Sequence, residues 1–189
     1  MSKEAETRTK IVEGAIRAFN EKGIKFTMDD VASLLGMSKK TLYKQFKSKD
    51  EMVMAAVDLG FGAVKESEQA IIDDDSLDIV EKIRRVIVVI PDRYQTMDWR
   101  RLYEFQDVYP EAYARIQYYL ETGWEGTLGL LEEGIRQGRI RRLPLPVLQS
   151  MLQSSFEGFI RNDALVEAGI SYEEALEIMI DVVMRGICA

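Results

Sequence analysis

The stretch Thr27–Asp50, TMDDVASLLGMSKKTLYKQFKSKD, constrains this chain more than any other because it contains three helix starts in quick succession. Thr27, Ser38 and Ser48 each offer a side-chain oxygen to the unpaired amides of a first helical turn. Asp30 and Glu51 follow Thr27 and Ser48 by three residues, one a near and the other a full match to a capping box. Phe26 and Val31 flank the first cap, and Met37 and Leu42 the second, in the pattern of hydrophobic staples that fix the angle of entry. Gly36 lies between Leu35 and Met37, where a left-handed backbone would stop the first helix sharply. A short helix, a tight Gly turn and a second short helix make a helix-turn-helix. From the second helix onward the chain carries Lys39, Lys40, Lys44, Lys47 and Lys49 with no acid before Asp50. The expectation is a segment that reads double-stranded DNA.

The formal net charge of -7 argues against that only while it is averaged over the chain. Residues 1–50 hold 11 of the 25 Lys and Arg and 7 of the 32 Asp and Glu, a net of +4, which leaves -11 on residues 51–189. This asymmetry fits a nucleic-acid-binding end on an acidic body, divided as 1–50 and 51–189. A merely solvated lysine face is the competing reading; it does not explain why the lysines coincide with the turn chemistry. At 47% hydrophobic and 30% charged residues over 189 positions, the chain has the composition of a folded globular protein.

Composition also excludes functions. There is no histidine, so Ser–His and Cys–His catalysis and imidazole metal sites are out. The single cysteine, Cys188, allows neither a disulfide framework nor metal-ligand spacing. There is no Gly-rich phosphate loop, and the acid pairs Glu132-Glu133 and Glu173-Glu174 are explained as solvent-facing or capping residues. The expectation is therefore not an enzyme, with no cofactor and no metal. No signal-like apolar stretch opens the chain, and Val86–Ile90 is far too short to cross a bilayer, so a cytoplasmic protein without membrane contact is expected.

A first helix from Glu4 or Thr9 to Glu21 carries Ile11, Ala15, Ala18 and Phe19 on one stripe and ends at Gly23, giving the helix-turn-helix a third helix to pack on. In the helix starting at Ser38, Leu42 and Phe46 face inward. Lys39, Lys40, Thr41 and Lys44 project outward, and Tyr43 lies at the edge with its hydroxyl able to reach a phosphate. The run from Ile11 to Val53, with Ala18-Phe19, Gly23, Thr27, Val31-Ala32, Gly36, Ser38, Thr41-Leu42-Tyr43, Phe46 and Lys49, resembles the DNA-binding domain of the TetR (tetracycline-repressor-like) family of transcriptional regulators. The Thr-Leu-Tyr-x-x-Phe-x-x-Lys run is the most specific part, and the match covers about a quarter of the chain.

The resemblance implies an all-α fold of about nine helices, with a three-helix head and a helical body that binds a small-molecule effector and forms a homodimer. It further implies phosphate contacts from Thr27, Ser38, Tyr43 and Lys49, and base contacts from Lys39, Lys40 and Thr41. Lys40, where the family often has a small residue, and Gln45, where it often has an aromatic residue or His, depart from the pattern and bear on operator sequence.

The fourth helix is expected from Ser48 to about Ala70. Gly60 and Gly62 within it either allow bending or allow close packing. In the resembling family this helix carries the signal between head and body. Ser76 is the expected cap of the next helix, a dense apolar segment from Leu77 to Ile90 that reads as buried on most sides. Arg84 and Arg85 interrupt it; a buried arginine would anchor an anionic ligand, and a salt bridge is the alternative. Trp99 and Tyr103 are four apart on one helix, and Tyr113, Gln117 and Trp124 share a face on a second helix running from Pro110 to Gln137-Gly138. Aromatics at this density line a ligand pocket or fill a core. The ligand candidates are Phe61, Arg84, Trp99, Tyr103, Tyr113, Gln117, Trp124 and Phe156. Residues 139–146 read as a solvated basic connector.

The last two helices each carry apolar stripes: Leu148, Met151, Leu152, Ser155 and Phe159 on one, and Leu176, Met179, Ile180 and Val183 on the other, which is capped by Ser171. A self-associating four-helix interface with two-fold symmetry would bury both, and an internal core is the alternative. The leading expectation is a ligand-responsive regulator, a repressor that binds a palindromic operator as a homodimer and is released by its effector. A helical protein-interaction or adaptor module with a vestigial helix-turn-helix is the alternative; a head that binds no DNA would have no need of its positive charge.

Overall fold

The computed structural model describes residues 2–94, 97 and 99–189. It is all-α, with no strand among the described residues beyond one isolated bridge between Ile140 and Cys188. The helices are α1 (Lys3–Lys22), α2 (Met28–Leu35), α3 (Lys39–Gln45), α4 (Lys49–Asp73), α5 (Ile79–Val88), α6 (Phe105–Val108), α7 (Pro110–Glu121), α8 (Glu125–Arg136), α9 (Leu145–Arg161), α10 (Asp163–Glu167) and α11 (Tyr172–Ile187), with 3-10 turns at Gly23–Lys25, Asp92–Tyr94 and Trp99–Glu104. Among the described residues they exceed the expected nine because α10 is a short addition and the helix expected from Pro110 to Gln137 is two helices, while the 3-10 turn at Trp99–Glu104 and the short α6 stand in for the helix expected to carry Trp99 and Tyr103. Gly123, at φ +75, turns the chain between α7 and α8, a conformation that a side chain resists.

By its contacts the chain forms two units, Met1–Phe61 with Arg101–Gln117, and Gly62–Arg100 with Tyr118–Ala189. The expected boundary at residue 50 differs from this division, since the first unit keeps the beginning of α4 and takes in a later segment. In this head unit, α1 buries Ile11, Val12, Ala15, Ala18 and Phe19 together with Val31, Leu42, Phe46 and Met52. A Cβ on Gly14 would come within 2.8 Å of Leu35 Cδ1, so glycine permits α1 and α2 to close up. The segment 101–117 joins through a Phe19–Phe105 stack at 5.2 Å, and Arg101 Nη1 donates to the Asn20 carbonyl near the end of α1 at 3.3 Å. A cation there also meets the negative end of the helix dipole.

The second unit, the body, is built on Ile79, Ile83, Val86 and Ile87 of α5, Leu130 and Leu131 of α8, Leu148 and Leu152 of α9, and Ile180, Met184 and Ile187 of α11. Two expectations for α5 are corrected. Asp78 rather than Ser76 caps it, accepting from Glu81 N at 2.8 Å, while Ser76 bonds Asp74. The helix is also buried along one face only. The 139–146 connector is not uniformly solvated: Ile140 is buried, and Arg141 N donates to Ile187 O at 2.9 Å. At Gly60 and Gly62 an added Cβ would meet nothing within 4 Å, so close packing does not account for these glycines.

Candidate nucleic-acid interface

Local chemistry sets α2 and α3 firmly. Thr27 Oγ1 accepts from Asp30 N at 3.2 Å and Asp30 Oδ2 accepts from Thr27 N at 2.8 Å, a complete capping box where the sequence suggested a near one. Lys22 Nζ also reaches Asp30 at 2.5 Å. Its hydrogen bond, followed by those from Thr27, holds the Asp30 carboxyl down at about 2. Gly36, at φ +62, ends α2 with its N–H on the Ala32 and Ser33 carbonyls, and Ser38 caps α3 by accepting from Thr41 N at 3.2 Å.

The far end of α3 is held by a second network. The Arg8 guanidinium donates to the Gln45 carbonyl at 2.5 Å, lies 3.9 Å over the Phe46 ring and pairs with Glu51 at 3.3 Å. Glu51 in turn accepts from Lys47 N at 2.8 Å, and that backbone bond leads the causes lowering its pKa. The expected box at Ser48 is therefore only half present. Ser48 Oγ takes the Glu51 amide, but the carboxylate reaches past it to Lys47.

With Leu42 and Phe46 fully buried, the outer surface of α3 presents Lys40, Tyr43 and Lys44, and Lys47 lies just beyond; all four are exposed, and the three lysines make no ion pair among the described residues. Thr41 is half-buried, its Oγ1 2.9 Å from Ser38 Oγ. Lys39 differs from the expectation of a free base reader. Its ammonium is 2.5 Å from Asp29 Oδ2, a hydrogen bond that raises its pKa. Lys49 is a larger correction. The resemblance implied a phosphate contact, yet Lys49 Nζ donates inward to the Ile24 carbonyl at 2.8 Å and sits 4.1 Å from the Phe26 ring centre, with burial lowering its pKa. Aromatic faces and a free carbonyl draw the ammonium in.

The ligand candidates are divided between the two units. Phe61, Tyr103, Tyr113 and Gln117 belong to the head unit, and Arg84, Trp99, Trp124 and Phe156 to the body. Trp99 and Tyr103 lie on a 3-10 turn, whose threefold period parts residues four apart. Tyr103 packs edge-on to Tyr113 at 6.5 Å, whereas Trp99 faces Tyr172 at 6.2 Å. Trp124 stacks on Phe156 at 6.0 Å. Arg84 is no buried anchor; it reaches Glu177 at 3.3 Å and Asp181 at 3.8 Å on the surface, the salt-bridge alternative.

Four residues placed on a self-association stripe, Leu148, Leu152, Leu176 and Ile180, are buried within the chain itself because α9 and α11 turn those faces onto their own body. Ser155, Phe159, Met179 and Val183 are half-buried. Of the expected set Met151 alone is exposed, and the open apolar residues beside it are Val147, Ile178 and Val182, which are 52–66% exposed. These three were missed because the period marks two stripes per helix without saying which one the body takes.

A family model described as "Bacterial regulatory proteins, tetR family" matches residues 11–56, the three-helix head. The uncharacterized HTH-type transcriptional regulator YvaF of Bacillus subtilis is 29% identical over 180 residues, 95% of each chain. Residues 11–56 are those of a TetR-family DNA-binding head. The chain is accordingly a helix-turn-helix transcriptional regulator. Its fold extends through the body: a TetR transcription regulator from Haloarcula marismortui superposes with a TM-score of 0.78 at 16% identity, covering 98% of this chain and all of the other. The regulator FadR from Bacillus subtilis, solved with stearoyl-CoA, gives 0.67 at 18% identity, covering 95% of this chain and 98% of that one.

Two features of the body were not legible in the sequence. Trp99 Nε1 and Glu173 Oε1 are buried, and neither has a hydrogen-bond partner among the described residues. Tyr172, next to Glu173 in the chain, faces the Trp99 ring, and burial pushes its hydroxyl pKa up. Glu173 is therefore more than the solvent-facing or capping acid expected.

Proposed function

We propose that this TetR-family protein is a homodimeric repressor that reads a palindromic operator through α3 and releases it when a small molecule binds the body. The observation that carries the reading is the division of labour on α3: Leu42 and Phe46 anchor it, networks hold both ends, and Lys40, Tyr43 and Lys44 stand outward. Lys44, Lys47 and Tyr43 suit phosphate oxygens, which set register and make affinity salt-dependent. Lys40 suits a base edge in the major groove. Thr27 and Ser38, with exposed hydroxyls at helix starts, suit the flanking phosphates.

Dimerisation is assigned to the uncovered stripe of Val147 and Met151 on α9 with Ile178 and Val182 on α11. Apolar side chains at this density, left open beside a filled core, call for a partner surface, and a second copy offers the same one. For the effector, the buried Trp99 Nε1 and Glu173 Oε1 supply a donor and an acceptor, and Trp124 and Phe156 an aromatic wall elsewhere in the same unit. FadR holds stearoyl-CoA in a related fold. Release requires that the ligand bind the DNA-competent and the incompetent state with different affinities.

Selection of bound fragments from a random DNA pool tests the reading. The expected result is an inverted repeat whose half-sites lie a helical turn or more apart. A single half-site, or no enrichment, would refute the dimeric reading mode.

A further inference from the structure

We propose that the head unit carries a small-molecule site of its own, a cleft against α4 and the α6–α7 turn that takes an amphipathic organic cation and thereby controls the recognition helix. The cleft is open to solvent and has a volume of about 550 Å³. Met54, Val108, Tyr109 and Pro110 give it an apolar wall. Four carboxylates, Asp50, Glu51, Asp58 and Glu111, face one guanidinium, that of Arg8. Glu51 is engaged by Arg8 and Asp58 by Arg115 at 2.8 Å, whereas Asp50 and Glu111 make no ion pair among the described residues. Lys49, the nearest further cation in sequence, is bonded to the Ile24 carbonyl.

This lining selects a ligand class. An anion would be repelled by the excess of carboxylates, and a neutral apolar molecule would strip water from them without return. A ligand with an apolar body and ammonium ends meets both surfaces. The cleft also borders the network that fixes the end of α3, since Arg8 and Glu51 both line it. An ammonium beside Glu51 competes with Arg8, and the guanidinium that holds the Gln45 carbonyl is then free to leave it. The site is thus placed to disturb α3 from within the head, independently of any ligand in the body.

The consequence for DNA rests on the function proposed above, whereas occupancy does not, so the two are measured separately. Titration calorimetry of the full-length protein at near-physiological salt, without DNA, uses diaminooctane as probe and octanediol as its uncharged counterpart. The diamine is expected to bind and the diol not. The double variant Asp50→Asn with Glu111→Gln is expected to weaken diamine binding by about tenfold or more. With selected operator DNA, the diamine is expected to lower the affinity of the wild type and not that of the double variant, which also controls for diamine bound to DNA. Absence of diamine heat, equal binding of the diol, or undiminished binding by the double variant overturns the site. Site-dependent binding that leaves operator affinity unchanged overturns its control of α3. If no operator is bound at all, the calorimetric result alone decides occupancy, and it is the DNA reading that has failed.

Discussion

The α3 surface and the α9–α11 surface leave opposite things uncovered. On the body, Arg84, Arg85, Arg139 and Arg185 each pair with an acid, and what remains open between α9 and α11 is apolar. In the head, Phe46 and Leu42 are fully enclosed, and what remains open is cationic: Lys40, Lys44 and Lys47. Exposed ion pairs add little to stability, so the body arginines are poor pointers to function. Side chains whose chemistry is left unmatched are better ones. Unmatched ammonium groups on a rigid helix suit a polyanion; unmatched valine, isoleucine and methionine suit another apolar face.

The sharpest way to break this contrast is within α11, between residues two apart. Val182→Glu puts a charge on the open stripe and is expected to weaken self-association by about a hundredfold or more while leaving the thermal transition of the subunit in place. Ile180→Ala, on the enclosed stripe, is expected to cost about 2–5 kcal/mol of stability by cavity formation. Sedimentation equilibrium and chemical denaturation separate the two. If Val182→Glu left the dimer intact, the open stripe would not be the interface.

The next contrast is among the head lysines. Lys40→Ala is expected to lower operator affinity about tenfold and relax preference at one base position, as read by anisotropy on single-substitution operators. Lys39→Ala should do less, since its ammonium is already held by Asp29. Lys47→Ala should reduce the slope of log affinity against log salt by about 0.9, the loss of one phosphate contact. Lys49→Met should leave that slope unchanged and show instead as a lower melting temperature, because its ammonium bonds the Ile24 carbonyl. A slope change at Lys49 equal to that at Lys47 would restore the phosphate role that the resemblance implied.

These contrasts also mark how far the sequence could be read. Caps and helix stops are local, so Thr27, Gly36, Ser38 and Ser171 stood where their chemistry put them. Gly123 carries the same kind of signal for the α7–α8 break, but the apolar periodicity runs on through it and hides the stop. What periodicity could not convey was partnership. Leu176 and Val182 are both apolar at helical positions, and only the packed body distinguishes the stripe it covers. Likewise Lys39, Lys44 and Lys49 are equivalent letters in a basic run; Asp29, open solvent and the Phe26 ring make them different. That Trp99 Nε1 and Glu173 Oε1 are buried without hydrogen-bond partners among the described residues is a result of tertiary packing, which no local spacing records.

The smallest effect tests the cap beneath the reading helix. Thr27→Ala removes the acceptor for Asp30 N and is expected to cost about 1 kcal/mol. Asp30 also makes the cap sensitive to acid. Its carboxyl is held at about 2 in the folded head against an ordinary 3.8, first by the Lys22 hydrogen bond and then by Thr27. A depressed folded pKa means that the stabilisation is fully present above the ordinary value and is lost as pH falls through the window from 3.8 to about 2. Asp30→Asn should therefore lower stability at neutral pH and flatten the acid limb of a stability–pH curve over that window. Body variants such as Arg84→Gln leave this part of the limb in place. An acid limb unaltered by Asp30→Asn would mean that the network does not hold the proton off Asp30, and the ordering of α2 would then rest on Thr27 and Gly36 alone.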